Sequence, residues 1–114
     1  MSTIWLVEVF VGGIKYDYPW EWVPCVTRKS RQAARDYVCE GNFNTRTRVV
    51  KCEKCKNKQQ IDKEATVWVC EQRIDNAYIP QGAAYTRSRG RSILKYLRML
   101  YPLDKLRIAK YSRV

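Results

Sequence analysis

Hydrophobic and polar residues alternate along four stretches of the chain, and each of these stretches predicts a β-strand. The first runs from Ile4 to Val11 and the second from Thr45 to about Cys55. The third covers Ala65 to Ile74, and the fourth covers Lys105 to Ser112. A period of two places successive side chains on opposite faces of a sheet, and the stretches are rich in β-branched and aromatic residues.

Two other stretches have the spacing of amphipathic helices. Thr27 or Ser30 can cap a first helix that runs to about Glu40. A second helix is predicted from about Ser88 to Tyr101, where Pro102 ends it. Its apolar stripe consists of Ile93, Leu94, Leu97, Leu100 and Tyr101.

Aromatic residues dominate the connection between the first strand and the first helix. Because Pro19 and Pro24 interrupt it, the sequence predicts a loop there, with an aromatic part from Tyr16 to Trp22. Such rings can stack on bases or anchor a protein partner, and they can equally complete a small core. The candidate anchoring residues are Tyr18, Trp20 and Trp22.

The two halves of the chain resemble each other, which indicates a tandem repeat. Thr3–Glu8 matches Thr66–Glu71 at an offset of 63 residues. The other matches share an offset of 59 residues and join Thr27-Arg28 to Thr86-Arg87, Tyr37-Val38 to Tyr96-Leu97, and Arg48–Lys51 to Arg107–Lys110.

The order of elements predicts a fold of the α+β class. Two halves, about 1–55 and 64–114, each contribute a βαβ unit to one domain of 114 residues. The order β-α-β-β-α-β predicts a ferredoxin-like split βαβ fold, with a four-stranded antiparallel sheet and two helices on one face. The opposite face would be apolar for an open surface, so it could form a homodimer or dock a protein. It consists of Ile4, Leu6, Glu8, Phe10, Val67, Val69, Glu71 and Arg73.

The net charge of +11 is unevenly distributed along the chain. Residues 1–40 hold five basic and five acidic side chains, whereas residues 41–114 hold seventeen basic and six acidic ones. This asymmetry favours a polyanionic or acidic partner, although a basic surface can also serve solubility alone.

Basic residues recur at helical spacing on both predicted helices. No acidic residue lies between Gln81 and Tyr101, whereas solvated helix faces usually mix both signs of charge. If the helices lie side by side, their outer faces form one positive surface suited to the phosphates of nucleic acid. The candidate nucleic-acid-binding residues are Arg28, Arg31, Arg35, Arg87, Arg91, Lys95 and Arg98.

The sequence therefore predicts a non-enzymatic binding protein that engages nucleic acid, or a complex that handles it. An alternative is an inhibitor or adaptor that binds an acidic surface of a host protein through the aromatic loop and the apolar sheet face. A third reading is a structural dimer. The type of nucleic acid, DNA or RNA and single- or double-stranded, stays open.

Catalytic and metal-binding patterns are weak. The chain has no histidine and no glycine-rich phosphate loop, and Glu8 and Glu71 are expected to pair with strand arginines such as Arg48, Arg73 or Arg107 rather than do acid–base work. We therefore predict no catalytic residue and no cofactor.

The cysteines give no clear metal site. Cys52 and Cys55 have the spacing of a zinc knuckle, but no second close pair completes a set of four ligands, so no metal is predicted. Cys39 and Cys70 are expected to be small buried residues. Trp5 and Trp68 are expected in the core, since the strands lack the glycine–aromatic signature of the RNA recognition motif.

Targeting signals are not evident. Five cysteines form no disulfide framework, no secretory leader begins the chain, and no stretch approaches the length of a membrane span. These features predict a protein of the reducing cytoplasm without a membrane partner.

The pattern of the first repeat resembles small accessory proteins encoded by bacteriophages. The similarity rests on the strand Trp5–Glu8, the proline and aromatic loop after it, the helix opening Thr27-Arg28 with Ala34-Arg35, and the strand Arg48–Lys51. The resemblance implies a viral origin, an early host-takeover or anti-defence role, and the host cytoplasm as location. It implies no catalytic residue.

Overall fold

The computed structural model describes residues 3–13, 17–41, 43–55 and 66–114. The lysine-rich stretch between the predicted second and third strands lies outside the described residues. The elements are β1 (Thr3–Gly13), β2 (Tyr18–Arg28), α1 (Arg31–Gly41), β3 (Thr47–Lys54), β4 (Thr66–Ile74), β5 (Ala77–Ala84), α2 (Arg87–Leu100) and β6 (Leu106–Arg113). Each half of the chain thus has the order β-β-α-β instead of the predicted β-α-β.

The strands form one six-stranded antiparallel sheet in the order β2-β1-β3-β6-β4-β5. Its two outermost strands, β2 and β5, also approach each other, so the sheet curves into a nearly closed barrel. The predicted four-stranded ferredoxin-like sheet is therefore wrong. The two extra strands lie where the sequence predicted an aromatic loop and a connection.

Prolines explain why these two strands were missed. Pro24 of β2 lies opposite Glu8, and Pro80 of β5 lies opposite Glu71, and the strand register shifts next to each of these pairs. A proline lacks the N–H that a central strand needs, but an edge strand or a β-bulge accommodates it. Both prolines meet these conditions, so they do not break their strands.

The interior of the barrel contains most of the face that the sequence predicted to be open, whereas Phe10 and Arg73 of that face lie outside the core. Leu6, Val67 and Val69 are fully buried there, and they pack with Ile4, Cys52, Ala109 and Tyr111. Strand curvature encloses these apolar side chains without a partner molecule. The face predicted as a homodimer or docking site is therefore largely covered within the chain itself, while a homodimer stays a prediction.

The helices cover the outside of the barrel, each on its own half. Helix α1 packs on β1, β2 and β3 and buries Ala34, whereas α2 packs on β4, β5 and β6. In α2, Leu94 and Leu97 lie over Cys70. A Cβ atom at Gly90 would lie 2.6 Å from Cδ1 of Ile108, so glycine permits this close approach. The two helices therefore do not lie side by side over one flat sheet.

The repeat is present in the structure, but its alignment differs between elements. Glu8 and Glu71 are 63 residues apart, whereas Pro24 and Pro80 are 56 apart and Arg48 and Arg107 are 59 apart. The helix caps are Ser30 and Thr86, each accepting a hydrogen bond from the backbone N–H three residues later. The cap equivalent to Thr86 is therefore Ser30, and the predicted match of Thr27 with Thr86 is wrong.

Candidate functional site

The outward side of α2 carries a row of exposed cations. Arg87, Arg91, Lys95 and Arg98 follow one another at helical spacing, and we call these four residues the α2 basic face. Arg89, in the first turn, is also exposed. Cations in a first turn oppose the helix dipole, at a cost of about 0.3–1 kcal/mol each. Helix stability therefore does not account for this arrangement.

None of these α2 cations takes part in an ion pair within the described part of the chain. The ion pairs there join Arg48 and Arg113 to Glu8, Arg107 to Glu71, and Lys51 to Glu53. On α2, the Arg87 guanidinium lies 5.7 Å from the centre of the Trp68 ring, which restricts its position but leaves its charge. The α2 basic face thus has no ion-pair partner among the residues that the structure describes.

The basic residues of the first half lie in a more mixed setting. The guanidinium of Arg28, at the end of β2, lies 5.0 Å from the centre of the Tyr37 ring. Arg31 and Arg35 are exposed on α1, but the same helix carries Asp36 and Glu40. The helices α1 and α2 cover different halves of the barrel. The basic residues of the first half therefore do not form one surface with the α2 basic face through side-by-side helices.

Aromatic side chains cluster on the β1–β2 hairpin. We call Phe10, Trp20 and Trp22 the hairpin aromatic cluster. The Phe10 and Trp20 rings are stacked, with centroids 5.3 Å apart and planes 19° apart, and the Trp22 centroid lies 5.0 Å from that of Phe10. Trp20 is 58% exposed. Tyr18 begins β2, but its side chain lies outside what the structure describes.

Two arginines adjoin this cluster. The Arg48 guanidinium lies 4.1 Å from the centre of the Trp22 ring, and Arg46, two residues earlier in the chain, is exposed. The backbone N–H of Phe10 donates a 2.9 Å hydrogen bond to the Arg46 carbonyl. Two arginines therefore border the hairpin aromatic cluster, of which Arg48 is also paired with Glu8, and sequence reasoning missed this border because it depends on pairing between β1 and β3.

A groove of about 490 Å³ joins the hairpin to α2. Glu21, Trp22 and Pro24 of β2 form one side, and Arg89 and Ser92 of α2 contribute to the other. The groove follows the place where β2 and β5 approach each other. Closure of the barrel thus brings an aromatic strand next to the basic helix.

Inside the barrel, Glu8 is fully buried and paired with two arginines. Arg113 donates two hydrogen bonds of 2.7 Å to its carboxylate, and Arg48 Nε donates one of 2.8 Å. Burial alone would raise the pKa of Glu8, but the hydrogen bonds from Arg113 and Arg48 outweigh it and hold that pKa below its ordinary value.

The second half repeats this arrangement with one change. Glu71 accepts a 2.9 Å hydrogen bond from Arg107 Nε and a 2.8 Å hydrogen bond from the Tyr111 hydroxyl. Burial and this hydrogen bond raise the pKa of Tyr111. Both glutamates pair with strand arginines, as predicted for Arg48 and Arg107, while Arg73 contacts Asn76. Each carboxylate is already occupied by charged or hydroxyl donors.

The cysteines occupy separate places. Cys52 lies in the barrel core, and Cys70 lies under α2, where its thiol donates to the Gly90 carbonyl. Burial raises the pKa of the Cys52 and Cys70 thiols to about 11. The prediction of a buried side chain is confirmed for Cys70 and wrong for Cys39, which is exposed. No group of three potential metal ligands occurs among the described residues.

Several apolar side chains differ from their predicted burial. Leu100 and Tyr101, predicted for the apolar stripe of the second helix, are exposed. They adjoin the exposed Tyr96, Met99 and Leu103, which together give the end of α2 an apolar surface.

The two tryptophans predicted for the core lie on the helix side of the sheet and are half-buried. The Arg31 guanidinium lies 5.9 Å from the centre of the Trp5 ring. Lys110 Nζ lies 5.8 Å from the centre of the Trp68 ring, which Arg87 also approaches. Both rings are therefore partly covered by basic side chains rather than enclosed.

No protein-family model, no curated protein and no solved structure matches the chain. The resemblance to phage accessory proteins therefore stays a prediction. Among the described residues, no helix is both long and apolar enough to cross a membrane.

Proposed function

We propose that this protein is a non-enzymatic nucleic-acid-binding protein of the cytoplasm and that the α2 basic face supplies most of its phosphate contacts. The observation that carries the proposal is the uncompensated charge of that face. Four exposed cations lie on one helix without an acidic residue in the helix and without an ion pair in the described structure. Phosphates are the ligand that such an array suits best.

The dimensions of the face are compatible with several phosphates. From Arg87 to Arg98 the helix rises about 16 Å, at about 1.5 Å per residue. Successive base pairs of a duplex rise about 3.4 Å, so the face extends along several nucleotides. Such contacts fix position and affinity without reading the base sequence.

The arginines of the first half have a supporting role in this proposal. Arg28, Arg31 and Arg35 can contact phosphates that lie farther along the bound chain. The acidic residues Asp36 and Glu40 on α1 reduce the local attraction, so these arginines contribute less than the α2 basic face.

A second candidate function is binding to an acidic protein surface. It is favoured by Tyr96, Met99 and Leu103, which are exposed at the end of α2 next to Lys95 and Arg98. Large exposed apolar patches often mark protein interfaces. If the phage resemblance holds, either partner would belong to the host cell.

A titration against salt tests the proposal. Fluorescently labelled single- and double-stranded oligonucleotides are titrated with the protein at several salt concentrations. We expect the logarithm of the binding constant to fall linearly with the logarithm of salt, with a slope of about −0.7 per phosphate contact on a single strand and about −0.9 on a duplex. Absence of binding at low salt would reject the proposal and favour the protein partner.

A further inference from the structure

The first half of the chain has a longer hairpin than the second. Strands β1 and β2 have 11 residues each, whereas β4 and β5 have 9 and 8. In the second hairpin Ile74 pairs with Ala77, so a two-residue turn suffices. Asp75 and Asn76 have φ angles of 50° and 65°, as a type I′ turn requires. The fold can therefore close this hairpin without an extension.

Comparison of equivalent positions in the two hairpins shows which residues of the first hairpin have no counterpart in the second. Phe10 pairs with Trp22 just as Arg73 pairs with Tyr78. An arginine covers the second ring of each pair, since Arg48 lies over Trp22 and Arg107 lies 3.5 Å from the centre of the Tyr78 ring. Trp22 thus belongs to the repeated unit.

Phe10 and Trp20 have no aromatic equivalents in the second half. Their places are taken by Arg73 and Asn76, which contact each other at 3.5 Å. An exposed aromatic stack is therefore not required to build this hairpin. It is a feature of the first half alone.

The local backbone holds the Trp20 ring in place. A Cβ atom at Gly13 would lie 3.1 Å from Cε2 of Trp20, so the indole lies against this glycine as well as on Phe10. Gly13 and Gly12 have φ angles of +101° and +137°, which other residues rarely adopt. The ring is thus packed against Gly13 and Phe10 although it is 58% exposed.

We propose that the Phe10–Trp20 stack binds an unpaired base, so that the nucleic acid held by this protein is single-stranded. This inference rests on the function proposed above. An ordered, exposed ring can stack on any base without reading its identity. In a duplex the bases are already stacked on each other and are not available to such a ring.

Charges of both signs surround the stack, since Asp17 and Glu21 are exposed on the β2 side and Arg46 is exposed on the β3 side. Arg46 is exposed on the β3 side of the hairpin and can contact a phosphate that flanks a stacked base, whereas the charge of Arg48 is paired with Glu8. Glu21 is the acidic neighbour on β2, where it pairs with Val11. In the strand alternation Glu21 lies between Trp20 and Trp22 and so belongs to the other face of the hairpin.

The test compares three probes of equal length: an oligothymidylate of about 20 nucleotides, an abasic strand with the same number of phosphates, and a duplex. We expect the wild-type protein to bind oligothymidylate roughly 5- to 30-fold more tightly than the abasic strand, which corresponds to about 1–2 kcal/mol of stacking. We also expect it to bind oligothymidylate more tightly than the duplex.

Variants then assign the preference to the ring. Trp20→Leu should bind oligothymidylate and the abasic strand equally, and Trp20→Phe should retain most of the preference. Ile74→Ala is the control, because Ile74 is an exposed apolar residue, at 42%, at the end of β4 in the hairpin that lacks the stack. It should behave like the wild type.

The outcomes separate this inference from the proposed function. Equal binding of oligothymidylate and the abasic strand by the wild type would overturn the stacking site but leave phosphate binding intact. So would an unchanged preference in Trp20→Leu, or tighter binding of the duplex. Absence of binding to all three probes would overturn the proposed function itself. If Trp20→Leu folds poorly, the comparison of oligothymidylate with the abasic strand in the wild-type protein still decides whether the stacking site exists.

Discussion

At the scale of single residues, two glutamates lie buried among the strands of a small barrel. Glu8 has no exposed surface, yet it is ionised, because Arg48 and Arg113 supply three hydrogen bonds to its two oxygens. Such a pair is costly to form and more costly to break, since removal of one partner leaves the other charges uncompensated. The interior of the barrel therefore depends on charge balance as well as on apolar packing.

Replacement of Glu8 tests this dependence. Glu8→Gln keeps the shape of the side chain but removes its charge, so Arg113 and Arg48 lose their counter-ion. We expect the free energy of unfolding, measured by urea denaturation, to fall by about 2–4 kcal/mol. Glu53→Gln, which breaks the surface contact between Glu53 and Lys51, is the control and should change it by less than about 1 kcal/mol.

The same carboxylate predicts a pH dependence. Because its pKa in the folded protein is below the ordinary value of 4.5, the unfolded chain takes up the proton more readily as pH falls. The stabilisation by Glu8 is thus complete above about pH 4.5 and is lost as pH falls through the folded-state pKa. Urea denaturation between pH 6 and pH 3 should show this loss in the wild type. If the free energy of unfolding fell by the same amount between pH 6 and pH 3 in Glu8→Gln as in the wild type, Glu8 would not be the source of this pH dependence.

At the scale of elements, the first turn of α2 carries a cation, Arg89, that opposes the stability of the helix. Thr86 caps the helix by accepting a 3.2 Å hydrogen bond from the Arg89 N–H. A glutamate three residues after a threonine cap would complete a capping box and favour the helix dipole, whereas the chain has an arginine there. An unfavourable cation in this position is most simply explained by an anionic ligand.

Arg89→Glu should separate the two effects. We expect it to raise the free energy of unfolding by about 0.5–1 kcal/mol while it weakens binding to oligonucleotides. The two quantities are measured by urea denaturation and by fluorescence anisotropy on the same preparation. A variant that is more stable and binds as well as the wild type would show that this cation has no ligand.

The elements also show how far the sequence could predict the structure. Strand and helix periodicity located β1, β3, β4, β6 and both helices to within a few residues. It failed for β2 and β5, because Pro24 and Pro80 carry a signal for interruption that edge strands and bulges tolerate. The missed strands are also the ones that turn the aromatic loop into an ordered hairpin.

At the scale of the whole molecule, closure of the sheet decides what is exposed. Two apolar faces on one strand, as in Ile4–Val9, already indicate burial on both sides. In a four-stranded sheet, this pattern predicted that one apolar face is open to solvent. In the six-stranded sheet, the strands curve and enclose that face. The cations of α2 could be identified from the sequence. The position of Arg89 on the same groove as Trp22 could not, because it depends on contact between β2 and β5, which are far apart in the chain.

Charge reversal on the α2 basic face tests whether this face binds nucleic acid, as proposed. The affinity of Arg91→Glu/Lys95→Glu for a labelled single-stranded oligonucleotide is compared with that of the wild type at one low salt concentration. Lys51→Glu/Arg73→Glu, with the same change in net charge on exposed strand positions, is the matched control.

We expect the α2 double variant to lose at least about tenfold in affinity and the control to lose much less, because phosphate contacts are local whereas net charge acts on both variants alike. Equal losses in the two variants, or no loss in either, would contradict the assignment of nucleic-acid binding to α2.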